Sequence, residues 1–151
     1  MSEEKKIIAK NKKAFYLYEI LETYIAGIVL TGSEIKSIRA GKINFVDSYA
    51  VVKNGEVFIK GLHIAPYERG GYANHDPVRD RKLLLTKKEI NKISKRIEEK
   101  GYTFIPLSCF ISENGYAKLE MAIARGKKSF DKRETIKKRD QEREASRNIR
   151  L

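Results

Sequence analysis

The chain has 151 residues, 41% of them hydrophobic, which is enough to bury one core but not two generous ones. Its formal net charge of +12 favours polyanionic partners, because each Lys or Arg placed against a phosphate releases a condensed counterion. The absence of a signal peptide and of any apolar run that could span a bilayer predicts a cytoplasmic protein without a membrane partner. The single cysteine, Cys109, excludes an intramolecular disulfide and is expected to be a small apolar strand residue.

The first predicted elements are a strand region and a short helix. Residues 14–30 are rich in aromatic and β-branched side chains and predict strands, although 16–21 also fits helical periodicity. A capping-type Thr31 or Ser33 at the start and Gly41 at the end predict a short helix within residues 32–41. Its polar face is expected to present Lys36 and Arg39 together, because residues three apart are neighbours on a helix.

Two hairpins and one longer helix follow from turn and capping chemistry. Asn54-Gly55 and Asn114-Gly115 each separate two runs of strand-like composition, and Asn-Gly favours the positive φ of a tight hairpin turn. Residues 86–100 begin with a capping box, carry an isoleucine stripe and stop at Gly101, which predicts a helix packed on the core. The Gly- and Pro-rich stretch 66–77 is predicted as an irregular, functional loop.

These elements predict a mainly β protein with short helices. An OB-fold-like closed antiparallel barrel with one capped helix is the economical arrangement, since closure leaves few unpaired strand edges. We assign residues 1–128 to this barrel. Residues 129–151 contain too few apolar side chains to bury a face, so we expect a basic C-terminal tail that is disordered when free and helical only on a polyanion. Half of the net charge, +6, lies in residues 125–151.

Catalytic and metal-binding patterns are weak. His63 and His75 have no cysteine or carboxylate at ligand spacing, and Gly126-Lys127-Lys128-Ser129 lacks the upstream glycine of a phosphate-binding loop. No base is marked beside Ser48. We therefore expect a non-catalytic protein with no metal, no cofactor and no small-molecule substrate. An RNA-modifying or RNA-cleaving enzyme is the less favoured alternative.

Basic and aromatic residues are interleaved in a way that favours RNA. Cations that hold phosphates, together with flat rings that stack on unpaired bases, suit single-stranded or looped RNA. Double-stranded DNA is less favoured, because no helix carries a polar recognition face for a major groove. The basic clusters are Lys10, Lys12 and Lys13; Lys36, Arg39 and Lys42; and Arg79, Arg81 and Lys82. Among the aromatic residues, Tyr16 and Tyr49 are the best candidates for stacking.

Five blocks of this sequence, taken in order, resemble the SsrA-binding protein family, also called small protein B. The blocks are Asn11 to Ala14, Ala26 to Gly41, Asp47 to Tyr49, Asn74 to Leu85 and Ala124 to Arg133. They span nearly the whole chain. Two positions depart from the family's pattern: Ile25 stands where members often have an acidic residue, and Phe130 where they often have a histidine. We therefore assign no role to Ile25.

The resemblance implies an OB-fold barrel that binds the tRNA-like domain of transfer-messenger RNA and delivers it to stalled ribosomes for trans-translation, the rescue of ribosomes that lack a sense codon. It implies that the tail senses the empty mRNA channel beside the decoding site. We expect the protein to be a monomer when free. The resemblance adds Asn11 and His75 to the RNA-binding residues, and assigns ribosome contacts to Gly126, Lys127, Lys128, Asp131, Lys132, Arg133, Lys137, Lys138 and Arg139. The alternative is a general OB-fold or ribosomal RNA-binding protein of the translation machinery.

Overall fold

Strands make up most of the regular structure in the computed structural model, which describes residues 6–67 and 74–127. The elements in chain order are β1 (Lys6–Lys10), α1 (Lys12–Leu17), β2 (Tyr18–Ile28), α2 (Gly32–Arg39), β3 (Ile43–Asn44), β4 (Tyr49–Lys53), β5 (Glu56–Lys60), β6 (His63–Ile64), β7 (Arg81–Leu84), α3 (Lys87–Lys100), β8 (Thr103–Ile111) and β9 (Ala117–Gly126). The predicted mainly β fold with short helices is confirmed. The predicted tail, 129–151, lies outside the described residues.

Seven strands form one antiparallel sheet in the order β1-β8-β4-β5-β7-β2-β9, and β8 also pairs with β9. This extra pairing joins six of the strands into a ring, with β1 attached outside it. The ring is uneven. The pairing of β2 with β9 runs from Tyr18 opposite Gly126 to Gly27 opposite Lys118, whereas β4 meets β8 only where Ala50 lies opposite Phe104. The sheet is therefore curved and nearly closed without being a regular barrel.

The first helix corrects the sequence prediction. Residues 14–17 were expected to be strand, but α1 extends to Leu17 and the strand begins at Tyr18. Ala14 and Leu17 are both 2% exposed, and Ala14 packs in a small second core with Ile105 and Leu107 of β8. A helical turn places residues three apart on one side, so burial of this pair outweighs the strand propensity of the neighbouring aromatics.

The other helices follow their predicted signals. Both α2 and α3 begin with a complete capping box, from Thr31 with Glu34 and from Thr86 with Glu89. α3 ends at Gly101, whose φ of 66° lies in the left-handed region where glycine is favoured. Capping chemistry therefore places the helix ends correctly.

The two predicted hairpins form, with different turns. In the β4–β5 hairpin, Asn54 and Gly55 both have positive φ, as a two-residue hairpin turn requires. Between β8 and β9 only Gly115 has positive φ, and its N–H donates to the carbonyl of Ser112 at 2.8 Å. The second turn is longer because this hydrogen bond closes a separate four-residue turn between the strand ends.

The main core lies inside the ring of strands and is covered by α2 and α3. Its fully buried members include Ile38 of α2, Ile93 of α3 and Leu119 of β9. Cys109 is also fully buried, and burial raises the pKa of its thiol to about 12. This agrees with the predicted apolar strand role. The packed interior is therefore this main core together with the small second core beside α1.

Candidate nucleic-acid interface

Four of the predicted RNA-binding residues line one cavity of about 560 Å³. They are Asn11, Lys12, Lys13 and Tyr49. The cavity lies between the β1–α1 junction, the segment 43–51 and the start of β8. Residues 38 positions apart in the chain are thus brought to one depression, which the sequence alone did not indicate.

Asn11 anchors one wall of this cavity. Its backbone N–H donates to the carbonyl of Leu107 at 2.7 Å, and its side-chain Nδ2 donates to the carbonyl of Pro106 at 2.8 Å. These bonds attach the β1–α1 junction to β8. Lys12 and Lys13 follow on α1 with exposed side chains. The backbone that carries the two lysines is therefore held in place while their ammonium groups face solvent.

The aromatic residues of α1 lie beside the cavity and not in its wall. Tyr16 is 60% exposed and Phe15 is 52% exposed. An exposed ring at the end of a fixed helix is a suitable surface for a stacked base. Both positions are therefore available to a partner, and Tyr16 agrees with its predicted exposure.

The predicted residues of α2 and its exit are exposed as well. The Nζ of Lys36 lies 5.5 Å from the centre of the Tyr67 ring, a cation–π distance. Arg39 donates weakly from Nη2 to the carbonyl of Gly115 at 3.4 Å. It also lines a second cavity of about 820 Å³ with Lys118 and Tyr116. Lys42 is exposed just after α2.

The third basic cluster is largely turned inward around a buried carboxylate that the sequence analysis missed. Glu34 is 0% exposed. It accepts hydrogen bonds from Nε and Nη2 of Arg79 at 2.9 and 2.6 Å, and another from Nε of Arg81. Arg81 also donates from Nη1 to the carbonyl of Leu62 at 2.8 Å. The capping box explains Glu34 at this position, but no local pattern indicates that two arginines converge on it.

Charge pairing keeps Glu34 ionised in the interior. Burial raises the pKa of this carboxyl, but the hydrogen bonds from Arg79, the Thr31 N–H and Arg81 outweigh burial and set the pKa at about 2. Arg81 is itself 0% exposed. Its guanidinium therefore does not reach the surface in this structure, and a direct RNA contact by Arg81 does not fit this geometry. Arg79 keeps one third of its side chain exposed.

His75 is also held by protein partners. Its Nδ1 lies 2.8 Å from the Ser33 hydroxyl and its Nε2 lies 2.8 Å from the carbonyl of Ile64. A carbonyl only accepts, so Nε2 carries a hydrogen, and in the neutral ring Nδ1 accepts from Ser33. The ring therefore links the segment after residue 73 to the start of α2.

Lys82 and the start of the predicted ribosome-contacting residues complete the set. The Nζ of Lys82 lies 2.5 Å from a carboxylate oxygen of Glu56 in an exposed ion pair. Gly126 and Lys127 are exposed, and Lys127 donates from Nζ to the carbonyl of Phe15 at 2.8 Å. The chain therefore passes α1 where β9 ends. The remaining predicted tail residues, Lys128, Asp131, Lys132, Arg133, Lys137, Lys138 and Arg139, lie outside the described residues.

Metal-ligating side chains are not clustered in the described part of the chain. Across residues 6–67 and 74–127, no group of three or more His, Cys, Asp or Glu side chains is placed to hold a metal ion. Within the same ranges, no helix is both long and apolar enough to cross a membrane. The features that distinguish the surface are its cations and exposed rings.

The fold and the surface together define a class: a small, mainly β protein with basic and aromatic side chains exposed on its surface. The family model described as SmpB protein matches residues 8–151. The chain therefore belongs to the SmpB family.

Individual relatives agree over nearly full length. The chain is 56% identical to the SsrA-binding protein of Acetivibrio thermocellus, covering 97% of this chain and 95% of that protein. It is 54% identical to the SsrA-binding protein of Geobacillus kaustophilus, covering 97% and 94%. A chain of the solved structure "tmRNA-SmpB: a journey to the center of the bacterial ribosome" matches with a TM-score of 0.71 and 49% identity, covering 85% of this chain and 93% of that one.

Proposed function

We propose that this protein binds transfer-messenger RNA and carries it to stalled ribosomes for trans-translation. The observation that carries the proposal is family membership over residues 8–151, with relatives named for SsrA binding. The net charge of +12 suits an RNA partner. We propose that the protein acts in the cytoplasm, as a monomer when free and without catalysing a reaction.

The folded part is proposed to be an OB-fold barrel that holds the tRNA-like domain. Its contacts are proposed to come from Asn11, Lys12, Lys13, Tyr16, Lys36, Arg39, Lys42, Tyr49, Arg79 and Lys82. Exposure of the lysines and of the Tyr16 ring supports phosphate and base contacts. Arg81 and His75 are proposed to act indirectly, because their polar atoms hold the segment that carries Arg79.

The basic C-terminal tail, residues 129–151, is proposed to contact the ribosome and sense the empty mRNA channel. Residues 125–151 carry eleven basic and five acidic side chains, which suits a polyanionic track. The described part of β9 ends beside α1, where Lys127 bonds to Phe15. Lys127, two residues before the proposed tail, therefore contacts α1.

Binding to the tRNA-like domain tests the first part of the proposal. The full-length protein is titrated against the labelled tRNA-like domain and against an unrelated hairpin RNA of the same length, at two salt concentrations. We expect tighter, salt-sensitive binding to the tRNA-like domain and no change in the recovered RNA. Equal affinity for both RNAs would support a general RNA-binding protein, and cleaved or modified RNA would support an enzyme.

Removal of the tail tests the second part. A chain that stops after Arg133 should keep its affinity for the tRNA-like domain, because the proposed contacts lie in the folded part. Tagging of peptides on stalled ribosomes, measured in a reconstituted translation system, should be lost. A matched chain with the tail's sequence scrambled, keeping the same charge, separates ribosome recognition from bulk electrostatics. A large loss of affinity for the isolated RNA would contradict this division of roles.

A further inference from the structure

The cavity at the β1–α1 junction has features that a general basic surface does not need. Its volume of about 560 Å³ lies within the range of roughly 300–1,000 Å³ that is usual for small-ligand sites. An RNA backbone running over a surface requires only cations. A depression of this size suits a compact chemical group that enters it.

Both walls of the cavity are fixed by hydrogen bonds within the protein. On one side Asn11 bonds to the carbonyls of Pro106 and Leu107. On the other side the hydroxyl and the N–H of Ser48 both donate to the carbonyl of Phe45, at 2.7 and 3.0 Å. The cavity is therefore preformed, so a ligand that enters it does not have to order the walls.

The lining offers a flat ring and apolar walls. Tyr49 opens β4 and is 47% exposed, while the next residue, Ala50, is 5% exposed. Strand alternation explains why the tyrosine stays accessible while its neighbour enters the core. Phe45 and Tyr102 also line the cavity. Aromatic and apolar walls of this kind favour a planar, stackable group.

Two carboxamides add polar specificity. The Nδ2 of Asn11 donates to the carbonyl of Pro106, and among the described residues no donor reaches its Oδ1. At Asn44 the reverse holds: Oδ1 accepts from the N–H of Val46 at 2.8 Å, and no acceptor for Nδ2 lies among the described residues. The cavity wall thus presents one fixed acceptor and one fixed donor group, the pair that the edge of a nucleobase can satisfy.

The charges at the cavity favour a phosphate-bearing ligand. Lys10, Lys12 and Lys13 line it together with one carboxylate, that of Asp47. Three lysines against one aspartate leave an excess of positive charge along the lining. Such an excess attracts the phosphate that accompanies a nucleobase.

We propose that this cavity holds one unstacked RNA nucleotide, with its base against Tyr49, its polar edge at Asn11 and Asn44, and its phosphate at Lys12 and Lys13. This inference rests on the proposed function, because it specifies how the RNA is held. The nucleotide belongs to an unpaired position of the transfer-messenger RNA or of the ribosomal decoding site. The chemistry required of the cavity is the same for both sources.

A fluorescent reporter tests the base contact. The chain has no tryptophan, so Tyr49→Trp in the full-length protein supplies a single indole in the cavity. It is titrated with the tRNA-like domain, with a decoding-site fragment of ribosomal RNA, and with a blunt, fully paired RNA duplex. We expect quenching by at least one of the first two and none by the duplex, and the RNA that quenches identifies the source.

Affinity measurements with the same RNAs test the contributions of the Tyr49 ring and the Asn44 carboxamide. Tyr49→Leu should weaken binding of the quenching RNA roughly 5- to 150-fold, the range for loss of one stacked base, and Tyr49→Phe should restore most of it. Asn44→Asp keeps the acceptor for Val46, removes the donors and adds a negative charge, so it should also weaken binding. Asn91→Asp, on the exposed side of α3, is the matched control and should bind like the wild type.

The outcomes separate this inference from the proposed function. Suppose the wild type binds the tRNA-like domain, and the Tyr49→Leu and Asn44→Asp variants bind each RNA as tightly as the wild type does. The cavity then does not hold a nucleotide, and the proposed function stands. The same conclusion follows if the indole signal does not change on binding. If the wild type binds neither the tRNA-like domain nor the decoding-site fragment, the proposed function itself fails. Thermal unfolding of each variant confirms that it is folded.

Discussion

The cluster around Glu34 and the lysines of the cavity use positive charge in opposite ways. At Glu34, two arginines are paired to a carboxylate that is 0% exposed, and Arg81 is equally buried. At the cavity, Lys12 and Lys13 are exposed, and no ion pair joins them to an acid among the described residues. The first group uses its charge to hold the chain together, and the second keeps it for a partner. Fewer cations are therefore available to RNA than the net charge of +12 suggests.

The largest expected effect comes from neutralising Glu34. Glu34→Gln leaves two arginines without their carboxylate, one of them buried, and should lower the free energy of unfolding by about 3–5 kcal/mol. Urea denaturation measures this change. Glu56→Gln, which breaks the exposed ion pair with Lys82, is the control and should cost less than about 1 kcal/mol. Equal effects from the two variants would show that the buried cluster has no special role.

Acid should weaken the same cluster. In the folded protein the pKa of Glu34 is about 2, below its ordinary value of 4.5, so its contribution to stability is complete above about pH 4.5 and is lost as the pH falls towards 2. The loss should amount to about 3 kcal/mol. It is measured as the difference in urea unfolding between the wild type and Glu34→Gln along a pH series. A constant difference across that range would contradict the assignment of the low pKa to this ion pair.

The lysines of α1 should affect RNA binding with little effect on stability. Lys12→Gln combined with Lys13→Gln removes two proposed phosphate contacts and should weaken binding of the tRNA-like domain about 10- to 30-fold at physiological salt. The slope of log affinity against log salt should become shallower by roughly 1.4–1.8. Lys88→Gln with Lys95→Gln, on exposed positions of α3, is the charge-matched control and should change little.

The smallest effect is expected at Lys82, the neighbour of Arg81 on β7. Lys82→Gln breaks an exposed ion pair, so the free energy of unfolding should change by less than about 1 kcal/mol. Its affinity for the tRNA-like domain should fall only a few-fold, since one phosphate contact is removed. A loss of stability as large as that of Glu34→Gln would show that the two faces of β7 are not distinct. Urea denaturation and filter binding measure the two effects.

Local signals were sufficient for most elements because they act over a few residues. The capping box at Thr86 placed the start of α3, the choice of Thr31 or Ser33 as cap placed the start of α2 to within two residues, and the Asn-Gly pairs placed both hairpins. Strand propensity wrongly predicted strand at residues 14–17, which belong to the helix α1. This helix depends on burial of Ala14 and Leu17, and Ala14 packs against Ile105 and Leu107 of β8, which lie far along the chain.

The candidate site, too, was partly predicted from the sequence and partly shown only by the structure. The net charge alone predicted a polyanionic partner, the interleaved aromatic residues favoured RNA, and the family resemblance named the particular RNA. Only the tertiary structure decided which cations remain on that surface. In the sequence Arg81 and Lys82 are adjacent and equivalent, but alternation along β7 turns one inward to Glu34 and the other to solvent.

The sequence by itself therefore determined the mainly β fold, the caps, the hairpins and the basic character of this protein. The tertiary structure decided the burial of Glu34 and Arg81 and the meeting of Asn11, Asn44 and Tyr49 around one cavity. The physical reason is the range of the interactions. Capping and turn preferences involve neighbours in the chain, whereas burial and ion pairing depend on which distant strands the fold brings together.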